Sequence, residues 1–399
     1  MKLFRSELYN ATFFVGFFFN LLLGMMFSNN ALFPIYIRHI GGGADAIGFF
    51  WTALTLASFL CRPVVGSIVE KIGVKPVLMV GALLMGLPSV GYWVLLDHEL
   101  GVWIWVLRML QGVGWGCHNT AFFTLAAQAA PPGRRTEAIS MYALPGLASN
   151  MVGPLLGEYL ITHYGLPPFL LAICSMGVVA FLLISQIPLT PKPVAANAIS
   201  LAGFYTILRM PAYWFAFSLA MLHAVCFASL SSFLAPVAAE RNIAAFSLFF
   251  TAFSMGGIAV RLAGKSWADR QGLLRVAIPC FSIYCLGLLL LHFSWNLPLM
   301  ILSGLICGSA HGASFPVLAN VGYTLAPPLY RSTGIGMLTG MMDAGGALAG
   351  LVLGQVGQIY GYSHLFALSA IAPLVAVLLL VLVGRRALAT PLAQAERES

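Results

Sequence analysis

Charge is what this chain lacks. Of its 399 residues only 8% are Asp, Glu, Lys or Arg, while 60% are hydrophobic. A soluble protein is nearer roughly 45–50% apolar and about 25% charged. So few charges cannot cover a water-facing surface, which excludes an ordinary soluble enzyme or binding module and leaves an integral membrane protein. Acids are scarcer than bases, 12 against 20, and the net charge of +8 could suggest a nucleic-acid partner. The distribution excludes that reading. Lys2, Arg5, Lys71, Lys75, Arg134, Arg135, Lys192, Arg209, Arg275 and Arg385 fall in segments assigned to one side, and only Arg38 and Arg241 in loops on the other. That bias predicts cytoplasmic termini. The polar ends are short, so no sizeable soluble domain is expected. The first apolar run is long and has no A-x-A cleavage pattern, which reads as a retained helix.

Other absences exclude chemistry. The seven cysteines lie within apolar runs, none at metal-ligand spacing, and read as small core residues. No metal, cofactor or disulfide framework is expected. There is no Walker loop, nucleophile elbow, His-Glu-x-x-His or dinucleotide fingerprint. ATP-driven transport and common hydrolase chemistry therefore find no support.

What is present is long apolar stretches. A spanning helix needs about 20 apolar residues. Twelve such runs can be placed, at about 10–32, 46–68, 76–96, 101–123, 138–162, 167–188, 211–236, 245–265, 275–293, 297–320, 333–358 and 363–384. Glycine, of which there are 41, recurs in them as expected where helices pack closely in lipid. The longest polar connection, Ile187 to Arg209, contains Pro188, Pro191 and Pro193 and falls midway. The expected domains are an N-terminal six-helix bundle at 1–188, a partly helical cytoplasmic linker at 189–210, a C-terminal bundle at 211–386 and a tail at 387–399.

The sequence is also written twice. Arg62 to Gly73 reads RPVVGSIVEKIG and Arg261 to Gly272 reads RLAGKSWADRQG. Ala130 to Met141, APPGRRTEAISM, and Ala326 to Met337, APPLYRSTGIGM, agree at six of twelve positions. The offsets are 199 and 196 residues, so one small indel separates two copies. A duplicated hydrophobic chain predicts two pseudo-symmetric bundles about a central site.

Three motifs carry a resemblance. After the second run, Gly66-Ser-Ile-Val-Glu70-Lys71-Ile-Gly73-Val-Lys75 resembles the G-x-x-x-D-x-x-G-R-K loop of the major facilitator superfamily, with Glu for the family's Asp and Val for its Arg. Asp269-Arg270-Gln271-Gly272 repeats it. The fourth run contains Arg108-Met-Leu-Gln111-Gly112, which is similar to the family's R-x-x-Q-G. The fifth contains Gly153-Pro154-Leu-Leu-Gly157, which resembles the glycine–proline motif of the family's drug–proton antiporters. Asn20, the segment at Pro34 and Arg62-Pro63-x-x-Gly66 are similar to twelve-helix bacterial drug, sugar and metallophore exporters. The resemblance implies an all-α major facilitator fold of twelve transmembrane helices in the inner membrane. It implies a monomer moving a small organic molecule outward against protons by alternating access, with Glu70 and Asp269 gating. A nutrient importer of the same fold is the alternative.

A few polar residues fall inside runs. An arginine there is expensive and normally faces the bundle interior or water. Arg108 therefore reads either as a proton-linked group or as a structural one bonded to backbone carbonyls. Asp343 is the acid near the middle of a run, and an intramembrane carboxylate marks an ion or proton path. Proton transfer, gating and packing all remain open for it. Glu158, toward the outer end of the fifth run, is a weaker candidate. His118, His223 and His311 can relay protons or line a cavity, or can be plain core residues. Asn20, Asn119, Trp115, Phe122, Phe123, Phe227, Met337, Met341 and Met342 complete a candidate cavity wall.

Overall fold

The computed structural model describes residues 11–128, 135–187, 201–263, 273–327, 330–362 and 364–384. Among them every regular element is a helix. The helices are α1 (Ala11–Ser28), α2 (Phe33–His39), α3 (Ala44–Ile72), α4 (Val74–Gly86), α5 (Pro88–Val94), α6 (Val102–Gln128), α7 (Arg135–Tyr164) and α8 (Leu166–Ser185) in the first half. A short α9 (Leu201–Leu208) lies in the central linker. The second half holds α10 (Pro211–Glu240), α11 (Leu248–Ala263), α12 (Leu273–His292), α13 (Leu297–Leu325), α14 (Arg331–Tyr360), α15 (Leu365–Ser369) and α16 (Ile371–Leu382).

Nine stretches of this set are long and apolar enough to cross a membrane. With α6, α7 and the shorter α11 they fit the twelve runs expected. Two runs are broken, and proline explains both. Pro88 starts α5 straight after Leu87, and Pro373 supplies no N–H to the end of α15. The surface suits a bilayer: Leu60, Val64, Trp103, Leu262 and Leu382 are each more than 60% exposed, while Arg108, His118 and His223 are buried. Polar groups go inside because lipid offers them no hydrogen bonds.

Contacts divide the chain into two units, Met1–Gly41 with Leu56–Val194, and Gly42–Thr55 with Ala195–Ser399. The departure from the bundles expected at 1–188 and 211–386 is residues 42–55, the start of α3. Glycine is the reason. A Cβ on Gly48 would lie 2.7 Å from the Gly354 Cα, so only glycine allows this approach to α14. Thr52 Oγ1 then donates to the Ala347 carbonyl at 2.8 Å, and the Ala44 amide to Gln358 Oε1 at 3.0 Å.

The duplication is visible in the packing within each unit. In the first, α4 lies on α6, α1 on α7 and α4 on α8; in the second, α12 lies on α13, α10 on α14 and α12 on α16. The tight crossings recur at matching residues. A Cβ on Gly116 of α6 would lie 3.1 Å from the Ser58 carbonyl oxygen of α3. A Cβ on Gly312 of α13 would lie 2.7 Å from the Gly257 carbonyl oxygen of α11. Gly257 follows Ser58 by 199 residues and Gly312 follows Gly116 by 196, the offsets of the two sequence repeats.

Loop residues stop and start the helices as their chemistry demands. Gly73, between α3 and α4, has φ +87°, where a side chain would be strained. Arg241 follows α10 and donates to the carbonyls of Leu291, His292 and Ser294 at 2.6–2.9 Å. It thereby caps α12, whose last carbonyls have no partner within the helix.

Candidate functional site

In the first unit the polar centre is built around Arg108. It sits six residues into α6, about 9 Å from the helix start at 1.5 Å per residue. It is 1% exposed. Nη2 donates to Asn30 Oδ1 at 2.6 Å and Nη1 to Gln111 Oε1 at 3.0 Å. The guanidinium lies 5.2 Å from the Phe33 ring centroid. Gln111 accepts from Tyr92 Oη at 3.1 Å and donates to the Met85 carbonyl at 3.0 Å. Tyr36 Oη donates to the Tyr92 carbonyl at 3.1 Å. Side-chain amides receive these two Arg108 hydrogen bonds. The chain from Arg108 through Gln111 to Tyr92 and Tyr36 ties α6 to α5 and α2. Asn30 is buried in it. Tyr36 and Tyr92 were not singled out from sequence, where a tyrosine in an apolar run gives no sign of its partner.

Nearer the middle of α6, His118 Nε2 bonds Asn20 Oδ1 of α1 at 3.1 Å, and both residues are buried. The His118 ring packs against Trp115, Phe19 and Phe122 at 5.2–5.7 Å. Trp115 stacks on Phe27 at 3.9 Å. Asn20, Trp115 and His118 therefore lie together. Asn119 is half-buried, and the Phe123 side chain lies outside the described residues.

In the second unit, Asp343 is 9% exposed near the middle of α14. Gly345 beside it lets α14 meet α10: a Cβ there would lie 2.6 Å from the Met221 Cα. Gly346 faces Trp51, whose Nε1 would be 3.2 Å from an added Cβ. His223 of α10 and His311 of α13 stack with centroids 4.7 Å apart. His223 Nδ1 bonds Ser314 Oγ at 3.1 Å. Met337, Met341 and Met342 are partly buried against this unit's apolar core. The three histidines thus fall into two separate clusters, His118 in one unit and the His223–His311 pair in the other. Tyr284 joins the pair and was not anticipated.

The motif residues have identifiable packing roles. A Cβ on Gly153 of α7 would meet the Ser28 hydroxyl and lie 3.0 Å from the Met25 carbonyl oxygen; one on Gly157 would meet Leu32 and Asn29. Pro154 between them is buried, and Ser28 Oγ donates to the Ser149 carbonyl at 2.9 Å. The glycine–proline motif is therefore the seam between α7 and α1. Gly66 and Gly112 are buried. Lys75 Nζ donates to the Ser185 and Ile187 carbonyls at 2.7 and 2.8 Å, capping the end of α8. Glu158 is half-buried on α7. Asp269 and the Glu70 side chain lie outside the described residues. Among the described residues no group of three His, Cys, Asp or Glu is arranged to hold a metal, and the seven cysteines are free thiols.

Comparison with known proteins agrees with this architecture. The family described as Major Facilitator Superfamily matches residues 12–247 and 216–399. Among curated proteins, the staphylopine export protein of Staphylococcus aureus (strain Mu50 / ATCC 700699) is 20% identical over 364 residues, covering 86% of this chain and 89% of that one. An uncharacterised MFS-type transporter of Burkholderia mallei (strain SAVP1) is 24% identical over 359 residues, covering 87% and 84%. Among solved structures, the nucleoside transporter NupG superposes with a TM-score of 0.75 at 14% identity, covering 93% of this chain and 99% of that one. The human organic anion transporter MFSD10 superposes at 0.66 with 19% identity and the same coverage.

Proposed function

We propose that this chain, which belongs to the major facilitator superfamily, exports a small organic molecule across a bacterial inner membrane by proton antiport. As a multi-pass member of that family it is a transporter rather than an enzyme. The observation that carries the outward direction is the seam of Gly153, Pro154 and Gly157 against α1, built from the motif that resembles the antiporter motif. The distant likeness to a staphylopine export protein supports the same direction.

In this reading Arg108 and Asp343 are the coupling groups and Asn20, Trp115, His118, Asn119, His223, His311 and Met341 face the substrate. Glu70, Asp269 and Glu158 act in gating. The protein works as a monomer with both termini in the cytoplasm. A proton arriving from outside changes the charge of an acid and so the balance between two conformations. A ligand moves that balance only by binding the two states unequally. A membrane potential of about 100 mV supplies roughly 2.3 kcal/mol per charge moved.

Everted vesicles test this. Respiration acidifies their lumen, and a pH-sensitive dye reports proton loss when candidate compounds are added outside. An antiporter substrate should collapse the gradient only in vesicles containing the protein. Collapse that needs substrate preloaded in the lumen would instead identify a symporting importer.

A further inference from the structure

In the second unit three neighbouring rings each leave a buried polar atom without a partner. The stacked rings of His223 and His311 have planes 26° apart. The Tyr284 ring stands nearly perpendicular to both, 5.9 Å from His223 and 6.4 Å from His311. His223 Nε2, His311 Nδ1 and Tyr284 Oη have no hydrogen-bond partner among the described residues. His223 is 2% and Tyr284 0% exposed, whereas His311 is partly open. A buried polar atom left unsatisfied is costly. His118 in the first unit leaves one ring nitrogen in that condition; here three such atoms occur on neighbouring rings, one from each of α10, α12 and α13.

The local chemistry selects the ligand. Ser314 Oγ and His223 Nδ1 share a hydrogen bond, and in the tautomer where Nδ1 accepts, the free Nε2 carries a hydrogen. His311 can present Nδ1–H, and Tyr284 its O–H. Arg261 Nε donates to the Gly312 carbonyl at 3.1 Å, placing a permanent cation on the backbone beside His311. Donors beside a cation favour an anionic acceptor. The flank is apolar: the rings of Phe227, Phe253 and Phe315 lie 5.2, 5.1 and 6.3 Å from His311.

We propose that His223, His311 and Tyr284 form a subsite for the carboxylate of a small aromatic organic acid, whose ring packs against Phe227 and Phe253. The subsite rests on the reading of the chain as a small-molecule transporter, since it needs a ligand to reach the α10–α13 interior. Salicylate is the probe, and salicylamide its neutral counterpart of nearly the same shape. Titration calorimetry on the full chain in lipid nanodiscs should show saturable salicylate binding, with salicylamide at least tenfold weaker. Tyr284→Phe keeps the ring and removes only the hydroxyl; it should weaken salicylate at least fivefold. His311→Gln should weaken it as much or more. No saturable binding, equal binding of the two probes, or unchanged affinity in both variants would overturn the subsite. No gradient enters this measurement, so its failure leaves the export reading to the vesicle test, and failed proton exchange in vesicles leaves the subsite standing.

Discussion

Replacing Arg108 by lysine isolates what the guanidinium fork does. Its two terminal nitrogens reach acceptors on different segments, Asn30 before α2 and Gln111 on α6. A lysine keeps the charge but is a single point, so it can hold one acceptor and releases the other. Gln111 Oε1 still receives the Tyr92 hydroxyl, so the acceptor that loses most is Asn30 Oδ1. A charge-assisted hydrogen bond contributes about 1.5–3 kcal/mol. If the Asn30 link forms in only one state of the cycle, Arg108→Lys shifts the balance between states roughly 10- to 150-fold at 1.4 kcal/mol per decade. Distances between spin labels on α2 and α14 would read that shift, and Asn30→Ala should reproduce it. Removing the charge altogether, as in Arg108→Ala, should abolish proton-coupled export while the protein still reaches the membrane. Coupled export at the wild-type rate by Arg108→Ala would refute the assignment. Unshifted label distances in both conservative variants would show that the link persists through the cycle.

Asp343→Asn should stop uphill transport and flatten its pH dependence if the carboxylate carries the proton; counterflow should survive. Residual coupled transport in that variant would indicate gating, and normal transport would indicate packing. Gly312→Val should prevent assembly of the second unit, because even a Cβ would lie 2.5 Å from the Gly257 Cα; a lost monodisperse peak in size-exclusion chromatography checks it. Gly116→Val should do the same in the first unit. A periplasm-dependent reporter fused after Arg386 should be inactive, and activity would reverse the topology.

The fold was largely legible because its signals are long and redundant. Twenty-residue apolar runs, a repeated motif and a one-sided distribution of Lys and Arg each constrain the architecture independently. Boundaries were less legible: Pro88 and Pro373 break runs that hydropathy reads as continuous. The site was legible by residue type and not by partner. Arg108, His118 and His311 stand out as polar groups in apolar runs, but nothing in the chain says that Arg108 takes Asn30, 78 positions away. Nor could sequence give Gly42–Thr55 to the second unit, because that depends on Gly48 and Gly354 meeting face to face. Tyr92 and Tyr284 escaped notice for the same reason.

The two halves agree where backbones touch and differ where side chains do chemistry. Gly116 and Gly312 cannot drift, since an added methyl at either would run into a neighbouring helix. By the same offset of 196, Arg108 corresponds to Gly304, Asp343 to Leu147, Trp115 to His311 and His118 to Ser314. Each half still ties its first long helix to its fourth by one hydrogen bond, His118 to Asn20 and Ser314 to His223. The histidine has changed helices between the copies. A buried polar atom needs one partner, and either side can supply it, so such a bond tolerates exchange where a glycine crossing does not. Arg108 and Asp343, in turn, have no charged counterpart at the matching position of the other half. Two identical halves could hold a symmetric ligand but give a proton no preferred side. The positions at which the duplicates diverge are therefore where coupling and selectivity should be sought, and His311, which replaces a tryptophan and brings a second imidazole beside His223, is the divergence that gives the second half donors the first does not have.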